Sequence, residues 1–450
     1  MDFISNTEEQ TKKMLADIGV NNVEELYSDI PQSLMRKAPS TDDGLSEFEG
    51  FCLLEKIGKD NHFADFSNYL GAGSFEHQVP AYAPAICQKS EFLTAYTPYQ
   101  AEASQGMLQV IFEFQSAICA LTGLDVSNAS VYDGAAACAE ACLMALRQQR
   151  RRNKILIAKT VNPHYQRVVR QYLESLGTEL VEIPFKEDGT IDRSFIEAHL
   201  DEETAAVFLQ APSFLGTVED IAPIFSSAKE KGVLSIVCAD LMSYGLLPSA
   251  AEIGADIAVG DTQSFGIPLQ GGGPYVGYVA CTQALVRQMP GRIVGETVDT
   301  SGERGFVLTL QAREQHIRRG KATSNICSNQ SLAALSSLLT ILWYGKKGVG
   351  ELALSNFQRA AYLKKNLAKI SGVKALGEAT QFNEFVLCFS KPAAEVQAAF
   401  RMAKIEPGLH LGDYYPELEN HFLIAVTETK SKAELDRYVE VAQKMLGEVA

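Results

Sequence analysis

The densest concentration of chemically capable side chains lies between Gln311 and Asn325, which reads QAREQHIRRGKATSN. Arg313, Arg318, Arg319 and Lys321 place four cations within nine positions, and Thr323, Ser324 and Asn325 follow just before an apolar helical run. Hydroxyls and unpaired N–H groups at a helix start, beside guanidinium groups, suit a phosphate or carboxylate. The plainer alternative is a solvated basic face paired with the protein's own acids. A second candidate is Thr94–Gln100 (TAYTPYQ). Thr97 as cap, Pro98 at the first helical position and Gln100 closing a capping box predict a helix over 98–122. Capping does not account for Tyr96 and Tyr99, which either pack on the helix start or face a ligand. The run Gly271-Gly272-Gly273-Pro274 has neither P-loop nor dinucleotide-fold spacing and reads as a turn by default.

Other chemistries find little support. The seven histidines show no H-x-x-x-H or H-E-x-x-H spacing, so a metal site is not expected. No G-x-S-x-G elbow is present. The nine cysteines, at 52, 87, 119, 138, 142, 238, 281, 327 and 388, form no C-x-x-C pair and read as reduced core thiols of a cytoplasmic protein. A net charge of -15 argues against nucleic acid or an anionic membrane as the main partner. The N-terminus lacks a signal-peptide pattern, and the apolar run near Leu332–Tyr344 is too short to span a bilayer.

Elements must position these candidates. Residues 1–60 read as helices joined by polar turns, punctuated by Pro31 and Pro39, with a turn at Thr41–Gly44. An Ala-rich helix opens at Asp133-Gly134 and runs to about Gln149. Short apolar runs then alternate with helical patterns: strands at Lys154–Lys159, Glu179–Pro184, Ala205–Gln210, Leu234–Cys238 and Ile257–Gly260, helices at Pro163–Leu176, Ile191–His199 and Ile221–Lys231. This alternation predicts a parallel sheet with helices on both faces, with Tyr275–Cys281 as a further strand. Residues 283–330 resist placement. Helices at Leu332–Tyr344 and Glu351–Ile370 lead into strand Glu384–Phe389, helix Ala394–Lys404, strand Phe422–Val426 and helix Lys432–Leu446. The expected layout is a helical N-terminal arm (1–92), a large α/β domain (93–330) and a small C-terminal α/β domain (331–450).

That layout suits the aspartate-aminotransferase-like fold (fold type I) of pyridoxal-phosphate (PLP) enzymes, among others. Such an enzyme needs a lysine for its Schiff base, an acid at the pyridine nitrogen and a phosphate cradle. The lysine belongs after a late strand of the large sheet, where this chain reads Asp261-Thr262-Gln263-Ser264-Phe265. No lysine occurs from Gly232 to Gly320. Asp240, after strand Leu234–Cys238, either reaches a ring nitrogen or caps the next turn.

Several blocks then resemble the glycine cleavage system P-protein family. They are NYLGAGSFEH (68–77), FLTAYTPYQAEASQG (92–106), NASVYDGAAACAEA (128–141), GPYVGY (273–278), the long stretch Arg292–Ser331, and Asn383-Glu384-Phe385. The resemblance spans the chain and points to the N-terminal (alpha, subunit 1) partner of a split, heterotetrameric glycine decarboxylase. It implies that PLP is bound covalently by the homologous subunit 2. Gln263 of this chain then falls at the lysine position and Asp240 at a glutamine position. It further implies glycine as substrate and the lipoyl group of H-protein as co-substrate. Under this resemblance His77, Tyr96, Tyr99, Arg313, Lys321, Thr323, Ser324 and Asn325 border a shared site, with no catalytic residue on this chain. The competing readings are an independent PLP enzyme using another lysine, such as Lys321, and a noncatalytic scaffold.

Overall fold

The computed structural model describes residues 6–35, 44–326 and 328–447 of the 450. The expected features at Pro39 and Thr41–Asp43, and Cys327, lie outside the described residues. The chain divides into two units, up to Ala64 and from Asp65 onward.

The first unit holds helices Glu8–Ile18 and Glu47–Lys59. Each is opened by a reciprocal capping box, Thr7 with Gln10 and Ser46 with Glu49. These local bonds satisfy the orphan donors of the first turn without tertiary help.

The second unit is built on a seven-stranded sheet. Its order across the sheet is Val126–Ser127, Gly277–Cys281, Ile257–Asp261, Leu234–Cys238, Thr204–Gln210, Lys154–Ala158 and Glu179–Ile183. The last five are parallel, joined by crossover helices Pro163–Glu174, Arg193–His199 and Ala222–Glu230. The chain steps outward from Lys154–Ala158 first to one side and then to the other. The strand order therefore reverses beside Thr204–Gln210, where open α/β sheets form their clefts.

The sheet is not wholly parallel, as the alternation had suggested. Gly277–Cys281 runs antiparallel to Ile257–Asp261. A parallel return needs a crossover element, and the intervening segment forms no helix or strand. The central strands are buried along most of their length, and Gly134–Gln148 packs against them with Cys138, Cys142 and all its alanines but Ala135 buried.

Residues 283–330, unplaced from sequence, contain an antiparallel ribbon, Ile293–Val298 with Arg304–Thr309. The expected helix over 98–122 starts later, at Gln105, and residues 97–100 are extended or turned. The Gln105 side chain explains the shift. Its amide donates to the Phe306 carbonyl (2.9 Å) and accepts from the Phe306 N–H (2.8 Å), tying the helix start to the ribbon. Gln115 does the same to Val294 at 3.0 and 2.9 Å.

Helix Ser331–Leu367 continues through a non-helical Gly345 (φ 59°), which accounts for the two helices expected there. It leads into a four-stranded antiparallel sheet, ordered Val373–Ala375, Glu384–Phe389, His421–Ala425 and Leu409–His410. Helices Ala393–Met402 and Lys432–Leu446 accompany it. A separate core of Phe385, Phe389, Phe400, Phe422 and Tyr438 lies between them. Ser67–Asn68 pairs with Ile405–Glu406 in a separate two-stranded sheet, so the segment after Ala64 is stitched to the C-terminal part of the chain.

Candidate functional site

The cleft position at the C-terminal ends of the parallel strands is filled. Only about 50 Å³ remains there, lined by Asn162, Tyr165, Gln210, Asp240, Asp261 and Glu384 among others. That is room for a few waters, not for a substituted ring with a phosphate arm. Gln263 helps to close it. Its amide accepts from the Phe75 N–H (2.7 Å) and donates to the carbonyls of Phe75 (2.8 Å) and Ile267 (3.0 Å). A fully buried glutamine thus seals the strand end with three bonds. Gly260 lines the same pocket, and a side chain there would meet the Ala239 carbonyl at 2.4 Å.

The remaining polar groups are carboxyls. Asp261 accepts from the Tyr165 hydroxyl (2.6 Å) and the Gln263 N–H (3.0 Å). Burial pushes it up to about 7, against those two bonds. Burial likewise raises Glu384 to about 8, although its Oε1 accepts from the Ala72 N–H at 2.7 Å. Asp240 is also raised by burial, opposed by the charge of His77. Asp240 caps the turn Leu241–Gly245 by accepting from the Met242 N–H (3.1 Å), the second of the two roles its position allowed. No lysine lines this pocket, and three buried carboxyls are poor company for a phosphate dianion. The residues present do not fit PLP.

A wider cavity of about 780 Å³ opens nearby. Its walls include Cys87, Tyr96, Thr97, Ile267, Pro274 and Asn329–Ala333. The first turn of helix Ser331–Leu367 is part of that wall. Its first backbone bond runs from the Ala334 N–H to Gln330, and no side chain caps it. The earlier N–H groups therefore carry the partial positive charge of a helix start into the cavity wall.

The expected site residues divide accordingly. Tyr96, 82% exposed, lines the cavity, and the half-exposed Tyr99 stands close by in sequence. His77 lines neither pocket. Its Nδ1 pairs with Glu428 Oε2 at 2.8 Å in a nearly closed setting. Burial works to raise Glu428, but the His77 bond and charge and the Gln78 N–H outweigh it, and the carboxyl is lowered.

Arg313 is buried. Its guanidinium donates to the carbonyls of Leu310 (3.1 Å), Gly291 (3.0 Å) and Met289, bracing the turn before the ribbon. Ser324 donates to Glu140 at 2.7 Å, and the Thr323 N–H bonds the Arg313 carbonyl at 3.0 Å. Lys321 and Asn325 are exposed. The expectation that Thr323–Asn325 sit at a helix start does not hold, because the helix begins at Ser331. The residues at that start are Asn329, Gln330 and Ser331, which the polar triplet before Leu332 announces in the sequence.

Arg292 was also missed as an individual residue. Its Nη2 donates to the Tyr99 hydroxyl (3.1 Å) and its Nη1 to Asn329 Oδ1 (3.2 Å). Among the described residues no cluster of three or more metal-ligating groups exists. No helix among them is long and apolar enough to cross a membrane. The eight described cysteines are free thiols.

A large mixed sheet wrapped by crossover helices, followed by a small antiparallel domain, defines a PLP-dependent transferase chain of the aspartate-aminotransferase-like fold type I, here with its own pocket filled. A sphingosine-1-phosphate lyase from Burkholderia pseudomallei (14% identical, TM-score 0.67, covering 92% of this chain and 94% of that one) shares the fold. The family model described as "Glycine cleavage system P-protein" matches residues 1–442, and the chain belongs to that family. It is 59% identical to the "Probable glycine dehydrogenase (decarboxylating) subunit 1" of Protochlamydia amoebophila, over 99% of this chain and all of that one. It is 46% identical to the protein of the same description from Desulfitobacterium hafniense, over 98% of each. A crystal structure of "glycine decarboxylase (P-protein) of the glycine cleavage system, in inhibitor-bound form" superposes with a TM-score of 0.89 at 39% identity, covering 99% of this chain and all of that one.

Proposed function

We propose that this chain is subunit 1 of the glycine-decarboxylating enzyme of the glycine cleavage system, and that it completes an active site whose cofactor is held by a homologous second subunit. The observation that carries the reading is the pairing of a full-length family match with a sealed pocket. Where a fold type I enzyme needs its lysine, this chain has Gln263 bonded to its own backbone. The open 780 Å³ cavity with Tyr96 and its helix start is what the chain has to offer a partner.

In this reading PLP held by the second subunit would supply an electron sink for loss of carbon dioxide from glycine. The aminomethyl group would pass to one sulfur of the lipoyl disulfide of H-protein, whose S–S bond breaks to leave the other sulfur as a thiol. Tyr96 and the Asn329–Ser331 helix start form the wall that orients charged groups and excludes water. Arg313 and Ser324 hold the ledge behind that wall. The apolar part of the cavity, with Leu93, Ile267 and Pro268, suits the aliphatic stem of a lipoyl group. The assembly is a heterotetramer in the cytoplasm.

Borohydride trapping with PLP, followed by peptide mapping, tests the reading on the chain alone and on the two-chain complex. Label is expected only on the second subunit. Label on a lysine of this chain, Lys321 for instance, would make it an independent PLP enzyme and overturn the proposal.

A further inference from the structure

Arg292 follows the Gly291 turn, immediately before strand Ile293–Val298, and is 3% exposed. Burying a guanidinium is costly unless its hydrogen bonds are well placed, and this one is placed between two segments of the proposed wall. It donates to Tyr99 at 3.1 Å and to Asn329 at 3.2 Å, and its Cζ lies 5.3 Å from the centre of the Tyr99 ring. His316 meets that ring edge-on with centroids 5.9 Å apart.

The consequence for Tyr99 is chemical. Its oxygen accepts from a cation, so its own hydrogen is left over and is polarised as a donor. Among the described residues that hydroxyl donates to none, and the side chain is half exposed. The consequence for Asn329 is geometric. With Oδ1 committed to Arg292, its Nδ2 turns to the Ser331 hydroxyl (3.0 Å) and the Ala129 carbonyl (3.4 Å), fixing the first residue of the helix. Arg313 braces the Met289 and Gly291 carbonyls just ahead of Arg292.

Resting on the function proposed above, we propose that Arg292 is a positioning residue for the shared site. It holds the Tyr99 O–H as a hydrogen-bond donor toward an anionic group, carboxylate or phosphate, presented by the partner subunit, and sets the Ser331 helix start beside it.

The test uses the assembled two-chain enzyme with R292M, R292K, R292A, Y99F, N329A and the double variant Y99F/R292M. Glycine kcat and KM, PLP affinity and thermal melts are measured for each. Y99F and R292M are each expected to lower kcat/KM or weaken PLP binding by about ten- to a hundredfold, the range of a charge-assisted hydrogen bond. Because Arg292 acts through Tyr99, the double variant is expected to be no worse than Y99F. R292K should recover part of the loss, and added guanidinium should rescue R292A. A loss confined to glycine KM assigns the anion to the substrate carboxylate, and one confined to PLP retention assigns it to the cofactor phosphate. Additive losses, or an impaired Y99F beside a kinetically normal R292M, overturn the positioning role while leaving the subunit reading intact. Unchanged kinetics in Y99F, N329A and R292M together overturn the positioning role and remove this wall from the shared site, while the subunit reading stands or falls on the borohydride labelling.

Discussion

The buried carboxyls at the C-terminal ends of the parallel strands fill the position where an open α/β sheet forms its cleft. Asp261 and Glu384 are raised to about 7 and about 8 by burial. An unfolded chain releases these protons in the ordinary carboxylate range, near pH 4. Between that range and pH 7–8 the folded chain holds protons that the unfolded one has lost. Their stabilising contribution is therefore full at acid pH and is lost as pH rises through the folded values. Melts across this window should show stability declining with pH, and D261N or E384Q should flatten the decline. A profile of equal slope in the variants would remove these groups from the account. The same pocket bears on Gln263. Replacing it with lysine breaks three buried bonds and introduces an unpaired charge, for an expected loss of about 3–5 kcal/mol. With about 50 Å³ available, Q263K should still form no visible imine with PLP in the chain alone. Appearance of that absorption would show the pocket to be more accommodating than its packing implies.

At the scale of elements, one device recurs. Gln105, Gln115 and Gln263 each bond both the N–H and the C=O of a single residue, Phe306, Val294 and Phe75 respectively. A side-chain amide has the donor and acceptor that a neighbouring strand would supply. Two of these glutamines lie on helix Gln105–Thr122 and fasten the two-stranded ribbon, which alone would be marginal. Replacing the buried Gln115 by leucine leaves both Val294 groups without partners, at an expected cost of about 2–3 kcal/mol. Hydrogen exchange over 293–309 should quicken in Q115L while exchange in the parallel sheet stays unchanged. Uniform quickening would mean that the ribbon is not fastened separately. The ribbon bears on the proposed function because its first strand directly follows Arg292. This element was also the least legible in the sequence. Its residues are partly exposed, and what fastens the strand pair is a helix whose Gln115 lies 179 positions before Val294.

For the whole molecule, the architecture presents a sealed pocket and an open cavity within one fold type I unit. A chain of this form is expected to be inactive alone and to act only with its homologue. Glycine decarboxylation and exchange should appear on mixing the two chains and should saturate with the second. Activity of the isolated chain with PLP would contradict that division of labour. Much of the fold was readable because strand and helix periods alternate strictly between Lys154 and Asp261, and such a pattern has few packed solutions. The absence of lysine from Gly232 to Gly320 likewise argued against a Schiff base on this stretch before any geometry was known. Composition and order along the chain thus determined the fold class, the family resemblance and the lysine-free stretch. Only the tertiary structure decided which polar residues turn inward and which line the open cavity. Arg313, in the most conspicuous cluster, turned inward to backbone carbonyls, while Arg292 joined Tyr99 to Asn329 across 193 and 37 positions. A guanidinium serves either purpose equally well, and which carbonyl or hydroxyl lies within hydrogen-bond reach of it is fixed by packing between distant segments, not by its neighbours in the chain.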